Sequence, residues 1–343
     1  MSLLAFETSC DETSVAVVDE GRVLSNVVAS QIRLHEEYGG VVPELAAREH
    51  LRNLPPVAEA ALKAAGMDAS RLDALAATQG PGLPSALMSG LRSAQAMAFV
   101  LRRPFIGIHH HEAHLYSSWI AGNPPTANFA AFEPNISLIV SGGHTMLVHV
   151  RGEQDHAVLG STVDDAAGEC FDKAGKMLGL PYPAGPLIDQ LAERGNPSAF
   201  SFPRPMIHDA NDDFSFSGLK TSVRYFLRDR PGLADDAQSL RDLCASVQAA
   251  IVDVLVTKTL AAAKRQGVKC ITASGGVTCN RGLRQRLETE CAQAKLKLRL
   301  ADRALCTDNA AMIGILAERK LTAEKQSTPL DEDIQPGWKL GSI

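Results

Sequence analysis

The sequence predicts an α/β fold, on three observations. Ala, Leu, Val and Gly dominate while aromatics make up 5% of residues, as in proteins that pack helices tightly on a sheet. Apolar runs of strand length repeatedly end in small polar or glycine turns. Several of those turns lead straight into amphipathic helical stretches.

Taken in order, residues 3–6 read as a buried strand, followed by the polar turn Glu7-Thr8-Ser9-Cys10-Asp11-Glu12-Thr13-Ser14. Residues 15–19 form a second strand, and Gly21 turns the chain into a third over 23–28. The tip of such a hairpin offers hydroxyls and backbone N–H groups, although most such tips are only turns. A helix begins at Pro43, with Glu44 in its first turn. Leu45, Ala46, Leu51, Leu54, Val57, Ala58, Ala61 and Leu62 make its apolar stripe, and Pro55-Pro56 are expected to kink or split it. Arg48 and Arg52 share a face that reads as solvated or as a polyanion contact. Residues 72–78 are the next strand. The turn Gly80-Pro81-Gly82-Leu83-Pro84-Ser85 and a helix over 86–101 follow, a layout that binds anions at helix N-termini. It lacks both GxGxxG and GxxxxGK[ST].

Residues 121–135 read as a surface loop. Residues 136–150 repeat the logic of the first hairpin: strand, Ser-Gly-Gly turn, strand, with His144 just after the tip. A helix opens within residues 164–173 and runs to 178, a rigid Pro-rich loop spans 181–186, and a helix over 187–194 carries Asp189. Residues 214–221 form a polar-aromatic turn before another helix. A long amphipathic helix over 245–264 ends at Gly267, a good C-cap. Residues 269–274 are a buried strand, and the Gly275-Gly276 turn leads to a helix over 281–295. A short strand at 298–300 precedes a last helix, for which Thr307 or Asp308 is a natural N-cap. That role alone accounts for Asp308.

Composition narrows the function. At 343 residues the chain can form two ordinary domains with real cores. A formal net charge of −5 argues against coating nucleic acid by bulk charge, while a local basic face stays compatible. Seven cysteines, without paired spacing or CxxC, fit a reduced cytosolic protein. Residues 1–7 lack the basic start of a signal peptide, and the absence of a transit extension before Leu3 leads us to expect a bacterial cytoplasmic protein. No run of ~18 apolar residues suggests a membrane span.

Four of the ten histidines lie in Gly107-Ile108-His109-His110-His111-Glu112-Ala113-His114. If the segment is helical, His110 and His114 share a face with Cβ atoms about 6 Å apart, and two imidazoles so placed can hold one divalent metal. The bland reading is a polar helix start with spare histidines; four rings in eight residues favour metal. His144 could be a third ring near it. A zinc protease needs His-Glu-x-x-His. Here Glu112 follows His111 and the matching position is Leu115. Glu112 also falls on the far side of the helix from the His110–His114 face, so the protease reading fails.

Two hairpins with small polar tips, then strand, Gly-Gly and helix, resemble the way the actin, hexokinase and sugar-kinase (ASKHA) superfamily grips a nucleotide between two lobes. The resemblance goes further. Residues 7–13, 39–44, 80–83, 110–114, 140–145, Asp172-Lys173, 215–220, 275–277 with Asn280, and 307–309, in that order, resemble the tRNA N6-adenosine threonylcarbamoyltransferase family, once called O-sialoglycoprotein endopeptidase. This resemblance implies a two-lobed fold, with residues 1–108 plus 310–343 in one lobe, 109–309 in the other, and a metal and nucleotide cleft between them. It implies metal ligands His110, His114 and Asp308, holding one divalent ion, Fe(2+) or Zn(2+). It implies a substrate pocket lined by Ile139, Val140, Ser141, Gly142 and Gly143, with Asp172, Gly185, Asp189 and Asn280 on the ribose or adenine of an adenylate, and Asp11 facing the reacting centre. One departure is Pro84-Ser85, where many members carry a small Gly or Ala pair.

The implied reaction moves threonylcarbamoyl from threonylcarbamoyl-AMP to N6 of adenosine 37 in tRNAs reading ANN codons. The donor is an activated anhydride, which suits a sequence without catalytic-triad spacing. Implied partners are tRNA, a paralogous TsaB-like subunit and a TsaE-like P-loop ATPase. Arg48, Arg52, Lys173, Lys176, Lys220, Arg224, Arg281 and Arg284 are candidates for tRNA contact or simply solvated side chains. The rivals are a metalloprotease, a small-molecule kinase of the same fold, and a non-enzymatic paralogue, which lacks the His pair.

Overall fold

Two mixed sheets carry the fold in the computed structural model, which describes residues 1–324 and 327–341. The chain divides into a first unit, Met1–Ala131 with Thr307–Ile343, and a second, Phe132–Cys306. The first holds β1 (Ser2–Glu7), β2 (Glu12–Asp19), β3 (Arg22–Ser30), α1 (Ile32–Glu36), α2 (Pro43–Ala64), β4 (Ala74–Gly80), α3 (Pro84–Leu101), β5 (Phe105–His109), α4 (His110–Ser117), β6 (Ile120–Ala121) and β7 (Thr126–Ala127). The second holds β8 (Asn135–Val140), β9 (Thr145–Gly152), β10 (Asp155–Ser161), α5 (Ala167–Met177), α6 (Ala184–Ala192), α7 (Ser217–Arg228), α8 (Ala237–Gln266), β11 (Cys270–Ser274), α9 (Arg281–Gln293) and β12 (Lys297–Leu300). Helix α10 (Ala310–Glu324) belongs to the first unit again.

The first sheet runs β5-β4-β1-β2-β3-β7-β6, and the second β10-β9-β8-β11-β12. Each combines an antiparallel meander with strands added parallel to its leading strand, β4 beside β1 and β11 beside β8. In the first unit Leu4, Phe6, Val15 and Val17 pack under Leu54, Val57 and Ala61 of α2 and Leu91, Ala94 and Ala98 of α3. On the opposite face, Gly314 of α10 lies against Leu3, Ala5 and Val18. Burial on both faces explains why β1 reads as an unbroken apolar run rather than an alternation.

Several expectations change. The edges at 108/109 and 309/310 move, because β5 runs directly into α4 and Ser117 of α4 reaches Met312 of α10, tying both helices to the first unit. Helix α2 continues through Pro55 and Pro56. Both prolines lie on the exposed face, where water can satisfy the carbonyls they leave free, while Leu54 and Val57 hold the buried face to the sheet. Asp164 does not open α5. Its carboxylate accepts the Phe216 and Ser217 N–H groups (2.8 and 3.2 Å) and so caps α7. The loop at 121–135 includes the edge pair β6 and β7, and β10 had no counterpart in the sequence reading. Helix α8 is long and apolar enough to cross a membrane by length and composition, but it is mostly buried in the core of the second unit.

Candidate metal centre

Strands β1, β4 and β5 are parallel neighbours, so their C-terminal ends fall on one edge of the sheet. That edge gathers Glu7 from β1, Thr78 from β4 and, where β5 passes into α4, His110. His109 caps α4: its Nε2–H donates to the Trp338 carbonyl (3.2 Å) and its Nδ1 accepts the Glu112 N–H (3.3 Å). The cap fixes the first helical turn and with it the projection of His110 and His114. Asp308 arrives from the N-terminus of α10. The cap there is Asn309, which accepts the Met312 N–H (3.1 Å), so neither Thr307 nor Asp308 is needed for it. Asp308 is thereby free to face the histidines.

His110 Nε2 and His114 Nε2 lie 3.4 and 3.2 Å from Asp308 Oδ1. The ligand atoms of the three residues fall within 4.8 Å of one another, and both rings are buried. Two ligands at about 2.1 Å from a tetrahedral ion stand about 3.4 Å apart, so each His–Asp spacing fits a shared cation. The second shell fits too. The buried Glu7 carboxylate accepts from His110 Nδ1 (3.0 Å), Thr78 Oγ1 (2.5 Å) and Ser9 N–H (2.5 Å). A carboxylate on Nδ1 fixes the tautomer that leaves the Nε2 lone pair for a metal. His114 Nδ1 is buried without a partner among the described residues.

The charges point the same way. Burial disfavours the His110 imidazolium, but Asp308 and Glu7 outweigh it and hold its pKa well above the ordinary imidazole value. Burial would raise Glu7 and Asp308, yet His110 holds both below the usual carboxylate range. His114 is lowered by burial, which Asp308 opposes. Burial, then Asp11 and Asp308, push Glu12 well up and raise the Cys10 thiol. Negative charge thus accumulates around one proton-bearing imidazole, an arrangement that a divalent cation in place of that proton would stabilise.

Glu112 points away from the centre and pairs with Lys320 at 2.7 Å, both largely buried. The zinc-protease geometry is absent. Asp11 lies in the β1–β2 turn of the same unit, its carbonyl accepting the Gln31 N–H (3.0 Å). The glycine turn before α3 is occupied by the chain itself. Leu83 N–H donates to the Ser9 carbonyl (2.8 Å), and a Cβ on Gly82 would fall 2.6 Å from that oxygen. The closely approaching backbone is Ser9, so the anion-binding reading of this turn gives way to a packing role.

The remaining expected residues lie in the second unit. Ile139 and Val140 are buried inside β8, paired with Met146 and Thr145. Ser141 N–H donates to the His144 carbonyl (2.8 Å), while Gly142 and Gly143 are exposed at the turn. His144 thus belongs to this hairpin, and the third residue grouped with the His pair is Asp308. Gly275 packs against the end of β8: its φ is +92° and a Cβ would fall 2.3 Å from the Val140 carbonyl oxygen. Asp172 Oδ1 accepts the Ala184 and Gly185 N–H groups (2.8 and 3.3 Å) at the start of α6. Asp189 accepts both the N–H and Nε–H of Arg281 (3.0 and 2.9 Å). Asn280 caps α9 through Leu283 N–H (2.9 Å) and donates to Gln248 Oε1 (2.6 Å). Of the basic candidates, Lys173 and Lys220 pair with Asp165 (2.8 and 2.9 Å), Arg281 with Asp189, and Arg284 donates to the Thr278 and Ala301 carbonyls.

The fold and the site define a class: an actin/hexokinase-like α/β protein with a His-His-Asp group, both rings buried, able to hold a metal ion. Solved structures share that fold. Full-length HypF in its phosphate- and nucleotide-bound form superposes with a TM-score of 0.59 at 14% identity, over 95% of this chain and 47% of that one. Component A of (R)-2-hydroxyglutaryl-CoA dehydratase from Acidaminococcus fermentans gives 0.54 at 15% identity, over 94% and 99%. A family model described as tRNA N6-adenosine threonylcarbamoyltransferase matches residues 22–315. A protein of that name from Geotalea uraniireducens is 48% identical, over 100% of this chain and 98% of its own. Another from Chlorobium chlorochromatii is 49% identical over 94% and 93%. The chain belongs to the tRNA N6-adenosine threonylcarbamoyltransferase family, and it is a tRNA-modifying transferase of that family.

Sequence reasoning missed Glu7 as a site residue and missed the polar contacts of His50 and Gln31. For Glu7 the signal was present: a charged residue closing an apolar strand that is buried on both faces needs a partner.

Proposed function

We propose that the protein transfers the threonylcarbamoyl group of threonylcarbamoyl-AMP to N6 of adenosine 37 in tRNAs that read ANN codons, releasing AMP. The observation that carries this reading is the convergence of His110, His114 and Asp308 in a chain of this family. A divalent ion held by these residues, Fe(2+) or Zn(2+), supplies a Lewis acid for substrate oxygens. Glu7 keeps His110 in its ligating tautomer. In the transfer, the N6 nitrogen bonds to the carbamoyl carbon, the bond from that carbon to the phosphate oxygen breaks, AMP leaves with the electron pair, and N6 gives up one proton. Asp11 orients the amine or takes that proton.

The exposed Gly142-Gly143 amides offer N–H groups to developing phosphate or oxyanion charge, on a turn whose shape Ile139, Val140 and Ser141 set. Asp172, Gly185, Asp189 and Asn280 hold the nucleoside. Both amides bonded to Asp172 use Oδ1, so Oδ2 is the oxygen for a ribose hydroxyl. Five of the candidate cations, Arg52, Lys173, Lys220, Arg281 and Arg284, are already paired with carboxylates or carbonyls of this chain. The tRNA surface therefore draws on Arg48, Lys176 and Arg224 and on the TsaB-like and TsaE-like partners, in the cytoplasm.

The test mixes metal-loaded protein, the two partners, synthetic threonylcarbamoyl-AMP and unmodified tRNA, then analyses the nucleosides. Threonylcarbamoyladenosine with matching AMP is expected; unmodified tRNA after full metal loading would reject the reading.

A further inference from the structure

The β1–β2 turn that carries Asp11 is held from behind by a line of buried polar side chains. His50 on α2 and His35 on α1 are both fully buried, and Gln31, between β3 and α1, is 3% exposed. His50 Nε2 lies 2.9 Å from the Cys10 carbonyl, and its Nδ1 lies 2.8 Å from Thr13 Oγ1 and 3.3 Å from Gln31 Nε2. His35 Nε2 lies 3.3 Å from Gln31 Oε1, and His35 Nδ1 accepts the Val42 N–H (3.3 Å).

The chemistry of the two ends fixes every proton between them. A carbonyl only accepts, so His50 Nε2 carries hydrogen and donates to Cys10. Burial lowers the His50 pKa against the pull of that carbonyl, so the ring is neutral and Nδ1 accepts. At the other end an amide only donates, so His35 Nδ1 is the acceptor and its Nε2 donates to Gln31 Oε1. Donation therefore runs one way, from the Val42 amide through His35, Gln31 and His50 to the Cys10 carbonyl. The Gln31 main-chain N–H adds a second anchor, to the Asp11 carbonyl (3.0 Å). Two consecutive carbonyls of the turn are thus held, and the other end of the line sits in the loop before α2.

We propose that His50, with Gln31 and His35, is a positioning residue for transfer: it sets the Cys10–Thr13 turn, and so the placement of Asp11, without touching substrate or the metal ligands. This rests on the role given to Asp11 above. The Val42 N–H, the Thr13 hydroxyl and the Cys10 carbonyl otherwise lose their partners in a largely buried region, which locks the turn in one geometry. A misplacement near 1 Å costs a reaction of this kind about 100-fold in rate.

The test compares metal-loaded His50→Phe, which fills the space without polar atoms, with His50→Gln, whose amide can still donate to Cys10. Amide hydrogen exchange over residues 8–13, bound metal, and turnover against KM for tRNA are measured, with Asp11→Asn in parallel. His50→Phe is expected to keep its metal and KM, to exchange faster over 8–13, and to lose at least about tenfold in kcat; His50→Gln recovers part of both. Unchanged exchange in His50→Phe overturns the positioning role. So does faster exchange with unchanged kcat, or a His50→Gln no better than His50→Phe. An active Asp11→Asn would instead count against the role of Asp11, whichever way the His50 variants behave.

Discussion

Replacing Glu7 with Gln isolates what the buried carboxylate does for the metal centre. Oε1 accepts the Ser9 N–H, and the amide oxygen can keep that bond. Oε2 accepts from Thr78 Oγ1 and His110 Nδ1, and there the substitution places an NH2 group. An amide donor facing His110 Nδ1 favours the tautomer with its hydrogen on Nε2, the atom that faces Asp308. The lone pair needed for the metal is then occupied. Loss of such an outer partner typically costs 10- to 100-fold in metal affinity, about 1.4–2.7 kcal/mol. The metal-free protein also loses a charge-assisted bond, about 1.5–3 kcal/mol of stability. Competition with a chelator of known affinity gives the first quantity and chemical denaturation the second. A Glu7→Gln protein that binds metal as tightly as the parent would refute the tautomer argument, since no other described group bonds His110 Nδ1 except Ser9 Oγ at 3.3 Å.

Other outcomes follow from the same geometry. Metal affinity should rise with pH by about tenfold per unit up to the folded pKa of His110, because uptake displaces one proton; calorimetry in buffers of different ionisation enthalpy reads that proton. In the metal-free protein the His110 contribution to stability is complete below its ordinary value of 6.5 and is lost as pH rises through the raised folded value. The Asp308 contribution is complete above its ordinary value of 3.8 and is lost as pH falls through the lowered one, so a denaturation series should peak between. Glu112→Gln should leave metal binding intact and cost about 1–3 kcal/mol by stranding the largely buried Lys320, seen as a lower Tm. Gly275→Ala meets both a positive φ and the Val140 carbonyl and should cost about 2–4 kcal/mol with the metal centre intact.

Legibility in the sequence tracks how local each cause is. Strands β1 and β11, the Pro43 start of α2 and the Gly267 end of α8 are visible because periodicity and caps act within a few residues. His110 and His114 are visible because one helical turn joins them. Asp308 lies 194 residues from His114, and only the family resemblance drew it in; alone it reads as an N-cap, a role that Asn309 in fact fills. The line from Val42 to Cys10 joins residues that share no motif, and a buried His is indistinguishable from an exposed one until the fold brings its partners. The glycines at 80 and 82 show the opposite error: their spacing resembles a ligand cradle, yet the backbones they admit belong to Gln335 and Ser9.

The central claim is that His110, His114 and Asp308 hold one ion on which transfer depends. Its most direct test is metal content and turnover measured on the same samples of the parent protein and His114→Ala. One ion per chain and modified adenosine are expected in the parent, and neither in the variant. Full turnover by His114→Ala without bound metal would contradict that claim.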